Sequence, residues 1–102
     1  PIDHQQFITI MGRLAQWLNL FFYNTATEMP EDAVNIIGLM DYANWAKPSA
    51  WLLSFSQTNF FGQPITLLWD SIDKIAPTES TTRDQAAYTI YYLLSYTGIL
   101  SA

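Results

Sequence analysis

The chain has no cysteine, so it can form neither a disulfide nor a thiolate site. It has a single histidine, His4, which leaves almost none of the nitrogen and sulfur ligands that transition metals prefer. His4 lies at the extreme N-terminus, where chains fray, and this position argues against a catalytic role. We therefore expect no metal centre and no cofactor.

Sequence motifs of enzymes are also missing. The isolated glycines do not form a phosphate-binding loop, and no G-x-S-x-G nucleophile elbow is present. Asp70 and Asp73 lie three residues apart in a segment with helical spacing, without the further ligands of a calcium loop. We interpret them as a solvated acidic face and predict a non-enzymatic protein.

Charged residues are scarce, at 13% of the 102 residues, against about 25% in a typical soluble domain. The four basic residues are spread along the chain, at Arg13, Lys47, Lys74 and Arg83, and nine acidic residues bring the formal net charge to −5. Nucleic-acid phosphates require clustered cations, so we expect no nucleic-acid partner. The shortage of charge favours a surface meant for contact with another molecule.

The last eighteen residues, 85–102, contain four tyrosines and no charge. A segment of this kind could be a membrane span, a central core helix or a surface that a partner covers. Polar residues interrupt the segment and no basic residue follows it, so we expect no membrane span. The other two readings remain open.

The spacing of apolar residues is helical almost throughout, and it predicts an all-α protein. We expect one domain over 1–102, a compact bundle of about five helices with short loops. Asp3 is placed to cap the first helix and Thr81 or Thr82 the last. The five predicted helices cover approximately residues 4–22, 30–47, 49–55, 64–75 and 83–97.

Each predicted helix carries an apolar stripe that we assign to the core. In the first helix this stripe consists of Phe7, Ile10, Met11, Leu14, Trp17, Leu18 and Phe21; in the last it consists of Ala86, Ala87, Ile90, Leu93, Leu94 and Thr97. Three or all four of the tryptophans, which are Trp17, Trp45, Trp51 and Trp69, are also expected in the core.

Two aromatic groups remain as candidates for binding a partner. Phe60 and Phe61 lie in a turn-like segment, where they either close one end of the bundle or form an exposed anchor. Tyr88, Tyr92 and Tyr96 follow one another at intervals of four, which gives the last helix a second stripe. Tyrosine is enriched at protein interfaces because it buries a ring and keeps a hydroxyl to hydrogen-bond.

The leading hypothesis is a small acidic helical module that docks a protein partner, or a second copy of itself, through this aromatic surface. An alternative is a structural helical subdomain of a larger multidomain or repeat protein. The missing initial Met and the spacing of thirty-four residues between Trp17 and Trp51, which is a helical-repeat period, favour that alternative. A second alternative is a carrier of a small apolar ligand in an aromatic-lined cavity.

Overall fold

The computed structural model describes residues 2–17, 38–54, 56–58 and 64–97, with the backbone alone for residues 56–58, 64, 96 and 97. In chain order the elements are helix α1 (His4–Trp17), a 3₁₀ turn (Leu39–Asp41), helix α2 (Lys47–Leu53), strands β1 (Ser56–Thr58) and β2 (Pro64–Thr66), a 3₁₀ turn (Ile72–Lys74) and helix α3 (Arg83–Thr97). The all-α prediction is confirmed in part: the chain is mostly helical, but β1 and β2 form a two-stranded sheet that the prediction did not include. The prediction of about five helices is wrong, because the described ranges contain three α-helices.

Helix α1 begins with a reciprocal cap. The backbone N–H of Gln6 donates to the Asp3 carboxylate at 2.8 Å, and the backbone N–H of Asp3 donates to the Gln6 side-chain oxygen at 3.0 Å. This is a capping box built from Asp and Gln, and it confirms the prediction that Asp3 caps the first helix.

Helix α3 begins in the same way. The backbone N–H of Gln85 donates to the Thr82 hydroxyl at 3.2 Å, while the backbone N–H of Thr82 donates to the Gln85 side-chain oxygen at 2.9 Å. Thr82, rather than Thr81, is therefore the cap. Both caps follow from local residue spacing, which is why the sequence predicts them well.

The start of α1 is also bonded to the segment that precedes α3. The backbone N–H groups of His4 and Gln5 donate to the carbonyls of Glu79 and Pro77, at 2.8 and 2.9 Å. In the other direction, the N–H of Thr81 donates to the carbonyl of Ile2 at 2.9 Å. We call this set of bonds between residues 2–5 and 76–85 the N-terminal joint.

The segment 38–46 is not α-helical, contrary to the prediction for its part of residues 30–47; residues 30–37 lie outside the described ranges. Gly38 has φ +91°, a conformation that disfavours any other residue, and a Cβ there would overlap the backbone of Asp73. Helix α2 then begins at Lys47, where the predicted helix was expected to end. Pro48 falls in the first turn of α2, a position that suits its fixed φ and missing N–H.

The helix predicted for residues 64–75 is absent. β2 pairs antiparallel with β1, with Gln57 opposite Ile65, and residues 67–70 form bends. The Asp70 carboxylate accepts the N–H of Ser71 at 2.8 Å, and Ser71 has extended backbone angles that a helix does not allow. The short side chain of an aspartate competes here with helical hydrogen bonding. Asp70 and Asp73 therefore do not share a helix face.

Helices α1 and α2 pack at very close range where Gly12 meets Ser49. A Cβ added at Gly12 would overlap the Cβ and Oγ atoms of Ser49. The Ser49 hydroxyl, which is buried, donates to the carbonyl of Thr9 at 3.5 Å. Ser49 thus holds the two helices together.

The core lies between α1, α2, the 64–75 segment and one side of α3. Its buried apolar residues are Phe7, Ile8, Met11, Ala15, Leu39, Tyr42, Ala46, Ala50, Trp51, Leu52, Leu53, Ile65, Leu67, Leu68, Ile72, Ile75 and Leu93. Tyr42 is the largest of those that are almost fully enclosed, and its hydroxyl donates to the carbonyl of Ile75 at 3.1 Å. Burial, and secondarily the carboxylate of Asp41, raise the pKa of the Tyr42 phenol well above its ordinary value.

Replacing Gly12 by Ala tests the close helix crossing. Although Ala has the higher helix propensity, we expect Gly12→Ala to lower the free energy of unfolding by about 1–3 kcal/mol, because the added methyl overlaps Ser49. Urea denaturation measures the change. Adding Ser49→Gly removes the atoms that the methyl meets, so the double variant should recover part of the loss; a fully additive cycle would contradict the contact.

Replacing Tyr42 by Phe tests the buried hydroxyl. We expect Tyr42→Phe to lower the free energy of unfolding by about 1–2 kcal/mol at neutral pH, since the Ile75 carbonyl loses its donor. Because the folded wild type holds the phenol proton more tightly than the unfolded chain, its stability should also fall as the pH rises above about 10. Denaturation curves at several alkaline pH values should show a smaller fall in the variant.

Candidate functional site

Helix α1 has an apolar face that the fold leaves in water. Its core side carries Phe7, Ile8, Met11 and Ala15, which are all buried. On the other side Ile10 is 51% exposed, Trp17 is 79% exposed, and Leu14 between them is exposed as well. The prediction that these three residues belong to the core stripe is therefore wrong.

A clue to this orientation is present in the sequence. Arg13 and Leu14 lie three and four residues after Ile10, which itself lies four after Gln6, and Trp17 follows Leu14 by three, so all five share one face of α1. A charged and an amide side chain within the stripe mark that face as the one turned to water. The apolar residues of α1 occupy most of its circumference, and apolar spacing alone does not distinguish the two sides.

Trp45 closes this face into a groove. It lies in the turn that precedes α2 and is 51% exposed. The groove has a volume of about 590 Å³ and opens to solvent. Its lining consists of Ile2, Gln6, Thr9, Ile10, Arg13 and Trp45. Together with Leu14 and Trp17 farther along α1, these residues form what we call the α1 groove.

The polar groups of the α1 groove are few and differ in character. Arg13 is its only charged lining residue, and it forms no ion pair with any residue in the described ranges. Thr9 is buried, and its hydroxyl oxygen has no hydrogen-bond partner among the described residues. The α1 groove thus presents one exposed cation against a mostly apolar surface.

The tryptophans divide evenly between core and surface. Trp51 is buried and Trp69 is half-buried against the core. Trp17 and Trp45 are exposed, so the expectation of three or four core tryptophans is wrong. The neighbours of Trp45 in the sequence, which include Asn44 and Lys47, are the available sign that it lies at a surface.

The predicted tyrosine stripe is only partly a free surface. Tyr88 and Tyr92 are half-buried, with ring centroids 4.6 Å apart, and the Tyr88 hydroxyl is 3.1 Å from the Thr66 hydroxyl. Tyr92 also packs against the core and against Tyr91, whose ring stands edge-on at 5.1 Å. The structure therefore brings Tyr88 and Tyr92 together. The side chain of Tyr96, like Phe60 and Phe61, lies outside the described residues.

Helix α3 turns a different side to the core than its apolar spacing predicts. Leu93 is buried as expected, but Thr89 is fully buried and Ile90 and Tyr91 are exposed. The predicted core stripe is thus wrong for Ile90, and also for Ala87, which is exposed. Tyr91 adjoins the predicted stripe and is 43% exposed, although the sequence did not single it out for binding.

Within the described ranges no cluster of three or more acidic or histidine side chains could hold a metal ion. Among the helices described, none has both the length and the apolar character required to cross a membrane.

Comparison of the chain with protein-family models, with curated proteins and with solved structures gives no significant match.

Substitution of two isoleucines on opposite faces of α1 tests which side is buried. We expect Ile8→Ala to lower the free energy of unfolding by about 2–5 kcal/mol, because Ile8 is fully buried. Ile10→Ala should cost less than about 1 kcal/mol, because half of that side chain is already in water. Chemical denaturation of both variants gives the comparison, and equal losses would contradict the exposed α1 groove.

Proposed function

We propose that the protein is a non-enzymatic interaction module that docks an apolar segment of a partner protein in the α1 groove. The observation that carries the proposal is the exposure of four large apolar side chains, Ile10, Leu14, Trp17 and Trp45, around Arg13, which has no ion pair within the described ranges. Contiguous exposed apolar surface rimmed by polar groups is typical of protein interaction sites.

The residue types of the α1 groove suit this role. Tryptophan and arginine are the side chains most enriched among residues that dominate binding energy. Full burial of a large apolar side chain contributes about 1.5–3 kcal/mol, so covering one that is already half-buried contributes about half of that before the costs of association. Arg13 lies in the same face as these side chains, so it can form a hydrogen-bonded ion pair that fixes the register of a partner.

The partner's chemistry follows from this arrangement. An apolar segment that places one carboxylate opposite Arg13 matches both the apolar lining and the positive charge of the α1 groove. A second copy of the chain is the weaker choice, because each copy carries a formal charge of −5 and like charges repel. We therefore favour a different protein over self-association.

The aromatic surface predicted from sequence is a second docking surface in this proposal. It comprises Phe60, Phe61, Tyr88, Tyr92 and Tyr96. In its favour, the paired rings of Tyr88 and Tyr92 lie beside the exposed Tyr91 on a part of α3 without charged residues. A partner that covers Tyr91 would extend an aromatic cluster that already exists.

A carrier of a small apolar acid is the second candidate function. The volume of the α1 groove, about 590 Å³, lies in the range of about 300–1,000 Å³ that is usual for small-molecule sites. Arg13 would pair with the acid and Trp45 would cover its apolar part. The third reading, a structural subdomain, would use the same exposed faces to pack on neighbouring domains.

Selection of peptides from a random display library on the folded protein tests the docking proposal. We expect selected peptides to combine large apolar residues with a carboxylate, and to lose at least about tenfold in affinity with Ile10→Ser, Trp45→Ala or Arg13→Glu. Fluorescence anisotropy of labelled peptides measures the dissociation constants. Light scattering on the free protein reports self-association.

Arg83→Glu is the matched control, because it changes the net charge as Arg13→Glu does but lies at the start of α3, outside the α1 groove. It should leave the peptide affinity within about twofold. Peptides that are insensitive to the α1 groove variants but sensitive to Tyr91→Ser would move the docking surface to α3. Insensitivity to both sets would contradict the proposal.

A further inference from the structure

The one histidine of the chain is enclosed within the N-terminal joint. His4 is only 2% exposed, although its sequence position predicted a frayed end. Its Nδ1 lies 2.8 Å from the carbonyl oxygen of Ala76, and its Nε2 lies 3.0 Å from the side-chain oxygen of Gln85. The ring therefore spans the start of α1, the segment before α3 and the first turn of α3.

Both partners of the ring are hydrogen-bond acceptors. The Ala76 carbonyl can only accept, so Nδ1 must carry a hydrogen to bond with it. The Gln85 side chain could in principle offer either its oxygen or its NH₂ group to Nε2. However, the same Gln85 oxygen accepts the backbone N–H of Thr82 in the capping box, and that bond fixes the orientation of the amide.

It follows that Nε2 must also carry a hydrogen, which only the doubly protonated imidazolium provides. A neutral ring satisfies one acceptor and turns a lone pair toward the other. Rotating the Gln85 amide would relieve that opposition, but it would break the Thr82 bond and weaken the cap of α3. Loss of the proton therefore costs one hydrogen bond in either arrangement.

Other effects act on the charge in both directions. Burial and the proximity of two helix N-termini oppose a cation. The Trp69 ring, with its centroid 5.1 Å from that of His4, favours one. The charged side chains on the packed elements are those of Asp3, Asp70, Asp73, Lys74, Glu79, Arg83 and Asp84; none is a hydrogen-bond partner of the ring, and all except the half-buried Asp3 are exposed.

We propose that His4 is a pH-responsive latch, which in its protonated form bonds the start of α1 to Ala76 and to the capped first turn of α3. Deprotonation releases one of these two bonds. Only the protonated ring donates to both acceptors, so the latch stabilises the fold at mildly acidic pH. That contribution is lost as the pH rises through the range in which histidine titrates, about pH 5 to 8.

The first test measures unfolding in urea at several values between about pH 5 and 8. Because the chain has one histidine and no cysteine, His4 dominates side-chain titration in this range. We expect the folding equilibrium constant to fall by about tenfold across it, and His4→Gln to remove most of the fall. Nitrogen-15 NMR of the folded wild type should show hydrogens on both ring nitrogens at the acidic end.

A second variant keeps the proposal testable if His4→Gln does not fold. Gln85→Glu preserves a capping box and places a carboxylate against Nε2, which strengthens the bond to the imidazolium. We expect the NMR titration of His4 to move to higher pH by about one unit. Gln6→Glu is the control, since it makes the same change at the equivalent position of α1, where the side chain pairs with Asp3 and not with the ring; it should move the titration less.

A singly protonated ring in the folded protein at about pH 5 would overturn the latch. So would a pH dependence of stability that survives His4→Gln, or equal titration shifts in Gln85→Glu and Gln6→Glu. Hydrogen exchange at the Thr82 amide provides a local readout, because release of the Gln85 side chain at alkaline pH should raise its exchange beyond the intrinsic increase with pH.

Discussion

The N-terminal joint is the constraint on which the rest of the structure depends. The first four N–H groups of a helix have no partner inside it, and in α1 all four are satisfied from outside the helical ladder. The Asp3 side chain accepts the N–H of Gln6, the Gln6 side chain accepts that of Asp3, and the carbonyls of Glu79 and Pro77 accept those of His4 and Gln5. The joint connects residues more than seventy positions apart, so it closes most of the chain into one unit.

Closure of the chain by the N-terminal joint also determines which side of α1 is exposed to water. The joint fixes the start of the helix, and the Gly12–Ser49 contact fixes its middle against α2. With two points held, the helix has no freedom to rotate Ile10 or Trp17 inward. The exposed apolar face is therefore a consequence of contacts that are themselves well satisfied. Such a face lowers the solubility of the protein, and a partner that covers it would remove this effect.

Sequence reasoning succeeded where the signal is local. Asp3 was predicted to cap α1, and Thr81 or Thr82 to cap α3, because capping depends on residues close together in the sequence. It failed for residues 64–75, whose isoleucines and leucines keep helical spacing but pack as a strand and bends against β1 and Gly38. It did not predict the burial of His4, because Ala76 and Gln85, which enclose the ring, lie more than seventy residues away in the sequence. The orientation of Trp45 likewise depends on the turn before α2, which no periodicity describes.

The α1 groove and the joint share the first turn of α1, and this has an energetic consequence. Ile2 and Gln6 line the α1 groove, while Ile2 also accepts a joint hydrogen bond and Gln6 completes the cap beside His4. A partner that binds the α1 groove only when this turn is ordered favours the joined state. By thermodynamic reciprocity, an ordered joint then also raises the affinity of the α1 groove for such a partner.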